Sequence, residues 1–176
     1  DTIAVPPKNF IEKALVHALV FRMDLFESMR PDNVYQCVGP HRAFSKAFYK
    51  TIKWPSAYHE DTYSYLRALE LGFKFKYVKS AKILFRVPDN IKDHLNQSRR
   101  FVNGAGALES YFSKEFIAKQ HYIPKTLLLS KIIKYFIKNP VLFIAYLCIF
   151  GYSRLFRANS TMKDKWDMAT STKKLT

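Results

Sequence analysis

The amino-acid sequence predicts an α/β fold followed by membrane-associated helices. Three observations predict it. Amphipathic helical periods alternate with short β-prone runs over residues 1–121, a charge-free apolar segment follows Lys138, and the 29 basic residues outnumber the 14 acidic ones increasingly toward the C-terminus. A chain of 176 residues, 48% of them hydrophobic, is long enough to build one core, which excludes a wholly disordered protein.

The first elements begin with a helix. Asn9 followed by Glu12 has the form of a capping box, and apolar residues then recur at helical spacing, which predicts a helix over residues 9–29. The β-prone run 34–38 ends at a Gly-Pro pair, and residues 43–49 again have helical spacing. We therefore expect a strand, a turn and a second helix after the first one.

The middle of the chain predicts one further clear helix and two strands. Residues 61–71 have helical periodicity and stop at Gly72, a residue that favours the left-handed end of a helix. Residues 73–79 alternate apolar with basic side chains, and 83–85 form a second apolar run, so both predict strands. From Asn90 a helical pattern continues toward Phe116, weakened by two glycines on the way.

The last part of the chain has the pattern of membrane-interface or transmembrane helices. Residues 126–138 predict an amphipathic helix with lysines that reach the headgroups, and residues 140–157 predict an apolar helix after a break at Pro140. The 15 residues between Lys138 and Arg154 carry no charge, but at roughly 23 Å they are shorter than the ~30 Å hydrocarbon core. A buried helix of a water-soluble domain is the alternative interpretation.

The charges around the apolar helix favour one topology. Basic residues flank it on both sides, so the positive-inside rule does not orient a single span. We therefore expect a re-entrant or interfacial pair of helices rather than one crossing, and a basic cytoplasmic tail over 158–176.

Two distant cysteines, Cys37 and Cys148, argue against a disulfide framework or a cysteine zinc site. Because the sequence opens at Asp1 without a signal-peptide pattern, we expect a piece of a longer or processed protein.

Two polar clusters carry the chemistry that the sequence predicts. Glu60 and Asp61 stand at the start of the clearest helix, where acidic residues commonly cap a helix but where a carboxylate can also serve as a general base. Gln97 and Arg100 lie three residues apart and so share a helix face, and a guanidinium binds phosphate oxygens through paired hydrogen bonds. A solvated helix surface is the alternative for this second cluster.

The order of these clusters resembles a known family. The order is Gly39-Pro40-His41-Arg42, then Glu60-Asp61, then a helix that ends at Leu71-Gly72, then Gln97-x-x-Arg100-Phe101 ahead of the apolar segment. Over roughly residues 34–157 it resembles the acceptor half of membrane-bound family-2 glycosyltransferases. The resemblance implies the C-terminal half of a GT-A-like domain over 1–121, membrane-associated helices over 122–157, and an inverting hexosyltransferase-type reaction.

The resemblance also assigns roles to residues. Asp61, with Glu60 beside it, matches the acidic pair that supplies the catalytic base. Gln97, Arg100 and Phe101 match the motif that holds the acceptor and the diphosphate, with Phe101 in place of its Trp. Further expected contacts with substrate are Arg42 and, in a tail that reaches back over the nucleotide, Thr170, Thr172 and Lys173.

The implied partners are a nucleotide-sugar donor, a glycan or polyisoprenyl-phosphate-linked acceptor, and the cytoplasmic face of the cell membrane, without nucleic acid. A divalent metal, Mg or Mn, is expected in the full enzyme. Its Asp-x-Asp motif lies in the donor half, so no metal ligand is predicted in this chain. We expect this chain to be inactive alone. Two other classes stay open: a basic module that binds anionic membrane or nucleic acid through the lysines of residues 74–82, and a scaffold without transferase activity.

Overall fold

The computed structural model describes residues 1–39, 41–54, 60–103, 105–155 and 172, with side chains for all of them except 99–103, 105 and 106. Two of the expected tail residues, Thr170 and Lys173, lie outside the described residues. The elements in chain order are β1 (Thr2–Ala4), α1 (Phe10–Glu27), a first 3-10 helix (Val34–Gln36), α2 (Lys46–Thr51), α3 (Glu60–Glu70), β2 (Ile83–Phe85), α4 (Ile91–Asn103), a second 3-10 helix (Ala105–Ser110), α5 (Lys114–Gln120), α6 (Lys125–Lys138) and α7 (Pro140–Leu155).

A small parallel sheet lies among these helices. β1 pairs with β2 in parallel, with Thr2 opposite Ile83 and Ala4 opposite Phe85. The pairing is extended by the Val5 amide, which donates to the Phe85 carbonyl at 2.9 Å. This mixture of helices with a parallel strand pair agrees with the α/β prediction, although the sequence pattern did not predict β1.

The predicted helices α1 and α3 are confirmed to within a few residues, because their ends carry local signals. At the start of α1 the Asn9 side chain accepts the amide of Glu12 at 2.9 Å. The Glu12 carboxylate accepts the amide of Lys8 rather than that of Asn9, so the capping box reaches one residue further back than predicted. α3 ends at Gly72, whose φ of 76° is the left-handed conformation that the sequence predicted.

Two predicted strands are wrong. The run that starts at Val34 is a 3-10 helix, because the buried Asn33 side chain accepts the Tyr35 amide at 3.0 Å and caps it. Residues 73–77 keep their alternation of inward aromatic and exposed basic side chains, but they pair with no other strand among the described residues. Phe73 and Phe75 pack against Phe48 and Tyr65, and this packing holds the segment extended without a ladder.

The predicted helix from Asn90 toward Phe116 is interrupted. α4 ends at Asn103, a 3-10 helix follows, and α5 begins separately at Lys114, where Ser113 accepts the Phe116 amide as its cap. The break coincides with the two glycines that weakened the pattern in the sequence. The region that was predicted as one helix is therefore three short elements.

The core has two parts. Around α3, the side chains of Tyr63, Tyr65 and Leu66 are buried against Phe48 and Phe112. Elsewhere α1 packs against α6 and α7, with buried contacts that include Ala14, Leu15, Phe21, Leu25, Tyr135, Phe143 and Ile149. The amphipathic and apolar segments of the sequence thus form a helical hairpin, α6–α7, that is docked on α1 and turns at Asn139.

Two of the lysines expected at membrane headgroups contact the protein instead. Lys131 and Lys134 bind the two carboxylate oxygens of Asp24 on α1 at 2.8 and 2.7 Å. We call these three residues the Asp24 cluster. Among the described residues, no helix combines the length and the apolar character that crossing a bilayer requires.

Candidate active site

The candidate site lies at the N-terminal end of α3, where Glu60 and Asp61 are the first two residues of the helix. Free backbone amides at a helix start favour negative charge, and one Asp61 oxygen accepts the Thr62 amide at 2.7 Å. The Ser64 hydroxyl donates to the Asp61 carbonyl at 2.8 Å and ties the first turn together. Both acidic residues remain partly exposed, so a substrate hydroxyl has access to them.

The segment around Gly39 forms one wall of this site. A Cβ placed on Gly39 would lie 3.7 Å from Asp61 Oδ2 and 3.8 Å from Glu60 Oε1. The bare backbone at this glycine therefore faces both carboxylates at close range. Just before it, the Cys37 thiol donates to the Asp61 carbonyl at 3.4 Å, which joins the wall to α3.

Arg42 links the wall to the helix through three contacts. Its Nε donates to the Gly39 carbonyl at 3.3 Å, and its Nη1 donates to the Ser64 hydroxyl at 3.1 Å. Its Nη2 lies 3.5 Å from Glu60 Oε1. The Arg42 side chain is 14% exposed, whereas that of Glu60 is 47% exposed, so the arginine is enclosed and the carboxylate faces outward.

Cys37 does not supply a nucleophile. Burial raises the pKa of its thiol to about 11, although the nearby charge of Arg42 acts against the shift. A thiol with that pKa stays protonated at neutral pH, and the thiolate is the reactive form. The chemistry available at this site is therefore that of the two carboxylates.

The structure brings together three of the predicted site residues, namely Glu60, Asp61 and Arg42. Gln97 is half-buried on α4, a helix that packs mainly against α7 and the second 3-10 helix. Arg100 and Phe101 belong to the same helix by their backbone, and their side chains lie outside the described ones. Their roles and those of the tail residues, of which Thr172 is half-buried, remain predictions.

The sequence did not predict the roles of Ser64 or the thiol of Cys37 in this site. Ser64 lies three residues after Asp61, so helical spacing alone could have placed it on the same face. No local signal indicated that Cys37 contacts α3, because the two residues that bond are 24 positions apart.

A divalent metal was expected in the full enzyme, so the fit of these residues to one matters. Within the described ranges, no group of three or more His, Cys, Asp or Glu side chains is arranged to hold a metal ion. Asp1 Oδ1 accepts the Tyr77 hydroxyl at 3.1 Å and is engaged in the protein's own network. The described donor set does not fit a metal, and the chemistry below uses none from this chain.

The comparison with protein families gives one result. Residues 15–163 match the family described as glycosyl transferase family group 2. No curated protein and no solved structure matches the chain significantly. Because the family match covers most of the sequence and runs from within α1 through α7, the chain belongs to glycosyl transferase family group 2.

Proposed function

We propose that the protein transfers a sugar from a nucleotide-sugar donor to a membrane-associated acceptor, with inversion at the anomeric carbon and with Asp61 as the general base. Membership of a family-2 glycosyltransferase family supports sugar transfer in general. The observation that carries the finer proposal is the pair of adjacent carboxylates at the start of α3, open toward the Gly39 wall and ordered by Arg42.

The chemistry needs a base on the acceptor side. Asp61 accepts the proton of an acceptor hydroxyl while that oxygen attacks the anomeric carbon, and the nucleoside diphosphate leaves from the opposite face with the bonding electrons. A positioned carboxylate typically contributes about 10²–10⁴-fold to such a step. The helix start supports the role because its amides favour the negative charge before the proton arrives.

In this proposal the chain supplies the acceptor side of a larger enzyme. Gln97 and Arg100 would meet the leaving diphosphate, since a guanidinium can neutralise the charge that develops there. The donor-binding residues and the ligands of an expected divalent metal would come from outside this chain. The acceptor would be a growing glycan or a polyisoprenyl-phosphate-linked sugar.

A membrane surface is proposed as the place of reaction. The outer faces of α6 and α7, which we call the apolar face, expose large hydrophobic side chains at helical spacing: Leu129, Ile133, Phe136, Ile137, Val141, Ile144, Leu147, Tyr152 and Leu155. Exposed apolar patches of this kind mark interaction surfaces, and basic residues stand at the ends of both helices. We propose that this face lies in the interface of the cell membrane on the cytoplasmic side.

The test is transfer by the full-length protein in membranes. Membranes are incubated with radiolabelled UDP-glucose, UDP-N-acetylglucosamine, UDP-galactose and GDP-mannose, and label in glycan or lipid is counted. With the donor that is used, Asp61→Asn should lower turnover by about 10²–10⁴-fold because the base is lost. Donor binding should survive the change.

Glu109→Gln is the matched control, since Glu109 pairs with Lys114 in an exposed position on the second 3-10 helix. Near-normal turnover by Asp61→Asn would remove Asp61 from the mechanism. Absence of transfer from every donor would favour the non-catalytic basic module, for which Lys74, Lys76 and Lys82 are exposed.

A further inference from the structure

We propose that Arg42 is a positioning residue: it binds Glu60 and thereby leaves Asp61 as the one carboxylate of the adjacent pair that accepts the substrate proton. The resemblance implied instead that Arg42 contacts substrate. The inference rests on the proposed function, because it assumes that a hydroxyl is deprotonated at this site.

The contacts of Arg42 occupy its guanidinium within the protein. Its three nitrogens face the Gly39 carbonyl, the Ser64 hydroxyl and the Glu60 carboxylate, and only 14% of its side chain is exposed. A residue that binds a donor phosphate needs its planar fork directed at the ligand. Here the Arg42 guanidinium is directed at the Gly39 wall and at α3.

The two carboxylates need such a residue because they face the same point of the Gly39 wall. Asp61 Oδ2 and Glu60 Oε1 both lie within 3.8 Å of the same point, the Cβ position of Gly39. Two carboxylates that share a site disfavour each other's charged forms. The positive charge of Arg42 beside Glu60 offsets this repulsion, and among the described residues no cation pairs with Asp61 in the same way.

Arg42 is also linked to the backbone of the proposed base. The Ser64 hydroxyl accepts from Arg42 Nη1 and donates to the Asp61 carbonyl, so one chain of hydrogen bonds runs from the guanidinium to Asp61. At the other end Arg42 holds the Gly39 carbonyl. The same side chain therefore fixes the wall, the neutralised carboxylate and the turn that carries the base.

The experiment compares Arg42→Ala, Arg42→Lys and the double variant Arg42→Ala/Glu60→Gln in the full-length enzyme, with the donor that the panel identifies. Arg42→Ala should lower kcat by roughly tenfold or more, since a hydrogen-bonded charge is lost, with KM for the nucleotide sugar little changed.

The double variant is the decisive one. If Arg42 acts through Glu60, removing the Glu60 charge should raise kcat above that of Arg42→Ala. Arg42→Lys should likewise have a kcat above that of Arg42→Ala, since lysine keeps the positive charge. Lys114→Ala, which breaks the exposed pair with Glu109, is the control and should change neither parameter.

Three results would overturn the proposal. A raised KM for the nucleotide sugar at unchanged kcat would make Arg42 a substrate ligand. An inactive double variant would make Glu60 itself the base. Amide hydrogen exchange gives a readout without activity: Arg42→Ala should speed exchange in residues 37–42 and in the first turn of α3. Unchanged hydrogen exchange in Arg42→Ala would reject the positioning role even if the enzyme transfers sugar. Faster exchange in a protein that transfers no sugar would reject only the proposed function.

Discussion

Two clusters of charged residues in this protein differ in their ratio of acidic to basic side chains. At the start of α3, one enclosed arginine, Arg42, contacts one of two adjacent carboxylates, that of Glu60, at 3.5 Å. In the Asp24 cluster, one carboxylate is held by two lysines at 2.8 and 2.7 Å. The first arrangement leaves a carboxylate open for chemistry, whereas the second leaves none.

The pKa of Asp24 reflects its two contacts with lysine side chains. Burial acts to raise the pKa of Asp24, but hydrogen bonds from Lys131 and Lys134 outweigh it, and the pKa lies below its ordinary value of 3.8. A carboxyl with a depressed folded-state pKa contributes stability above its unfolded pKa and loses it as the pH falls through the folded value. The cluster is thus complete at neutral pH, and it joins α6 to α1.

The largest expected effect concerns the apolar face of α6 and α7. Ile133→Gln/Ile144→Gln removes two half-exposed apolar side chains from the apolar face. Binding to vesicles of phosphatidylethanolamine and phosphatidylglycerol, measured by flotation, should weaken by roughly a hundredfold, because each side chain buries apolar area in the interface. The control Leu71→Gln/Val78→Gln changes exposed apolar residues outside the hairpin. Equal losses for both pairs would contradict the assignment of the apolar face.

The next prediction compares the stability contributed by the Asp24 carboxylate, which two lysines bind, with that of the exposed Glu109 carboxylate. Asp24→Ala leaves Lys131, whose side chain is 14% exposed, without its partner. Urea unfolding at pH 7 should show a loss of about 2 kcal/mol, between the values for buried and exposed pairs. Glu109→Ala, which breaks an exposed pair, should cost at most about 0.5 kcal/mol. The difference between Asp24→Ala and the unaltered protein should shrink below pH 3.8, and a constant difference would show that charge is not its cause.

The smallest effect concerns the open side of the two carboxylates of the candidate site. Gly39→Ala places a methyl group in ordinary contact with both of them, so the protein should fold with unchanged stability. The methyl group occupies the space in front of Asp61, and turnover should fall by roughly fivefold because the acceptor hydroxyl is displaced. Gly151→Ala is the control, since nothing lies within 4 Å of the added atom. Equal activity of the two variants would place the acceptor elsewhere.

Local signals explain which parts of the fold the sequence could predict. α1, α3 and the turn at Asn139 depend on caps, a left-handed glycine and a proline, all of which act over a few residues. The runs at 34–38 and 73–79 had β-prone composition, but a strand requires a partner, and propensity carries no information about one. β1 was missed for the complementary reason: three residues form it because β2 lies beside them.

The same distinction applies to the site. The position of Glu60 and Asp61 in the first turn of a helix could be predicted, because a helix start is visible in the sequence. The contacts of Arg42 with Glu60 and Ser64 could not, since they depend on how the segment after Val38 folds onto α3. The lysines of α6 had the spacing of headgroup ligands, and only the fold brings Asp24, 107 positions away from Lys131, within reach.

The parallel strand pair also bears on the order in which the chain can fold. β1 and β2 lie about 80 residues apart in sequence, and closing a loop of that length costs roughly 4 kcal/mol of chain entropy. Three paired residues on each side are too few to meet this cost early, before other contacts have brought the ends together. We therefore expect the strand pair to form together with the packing of Ala14 and Leu15 against Val87, which belong to one buried cluster, and not before it.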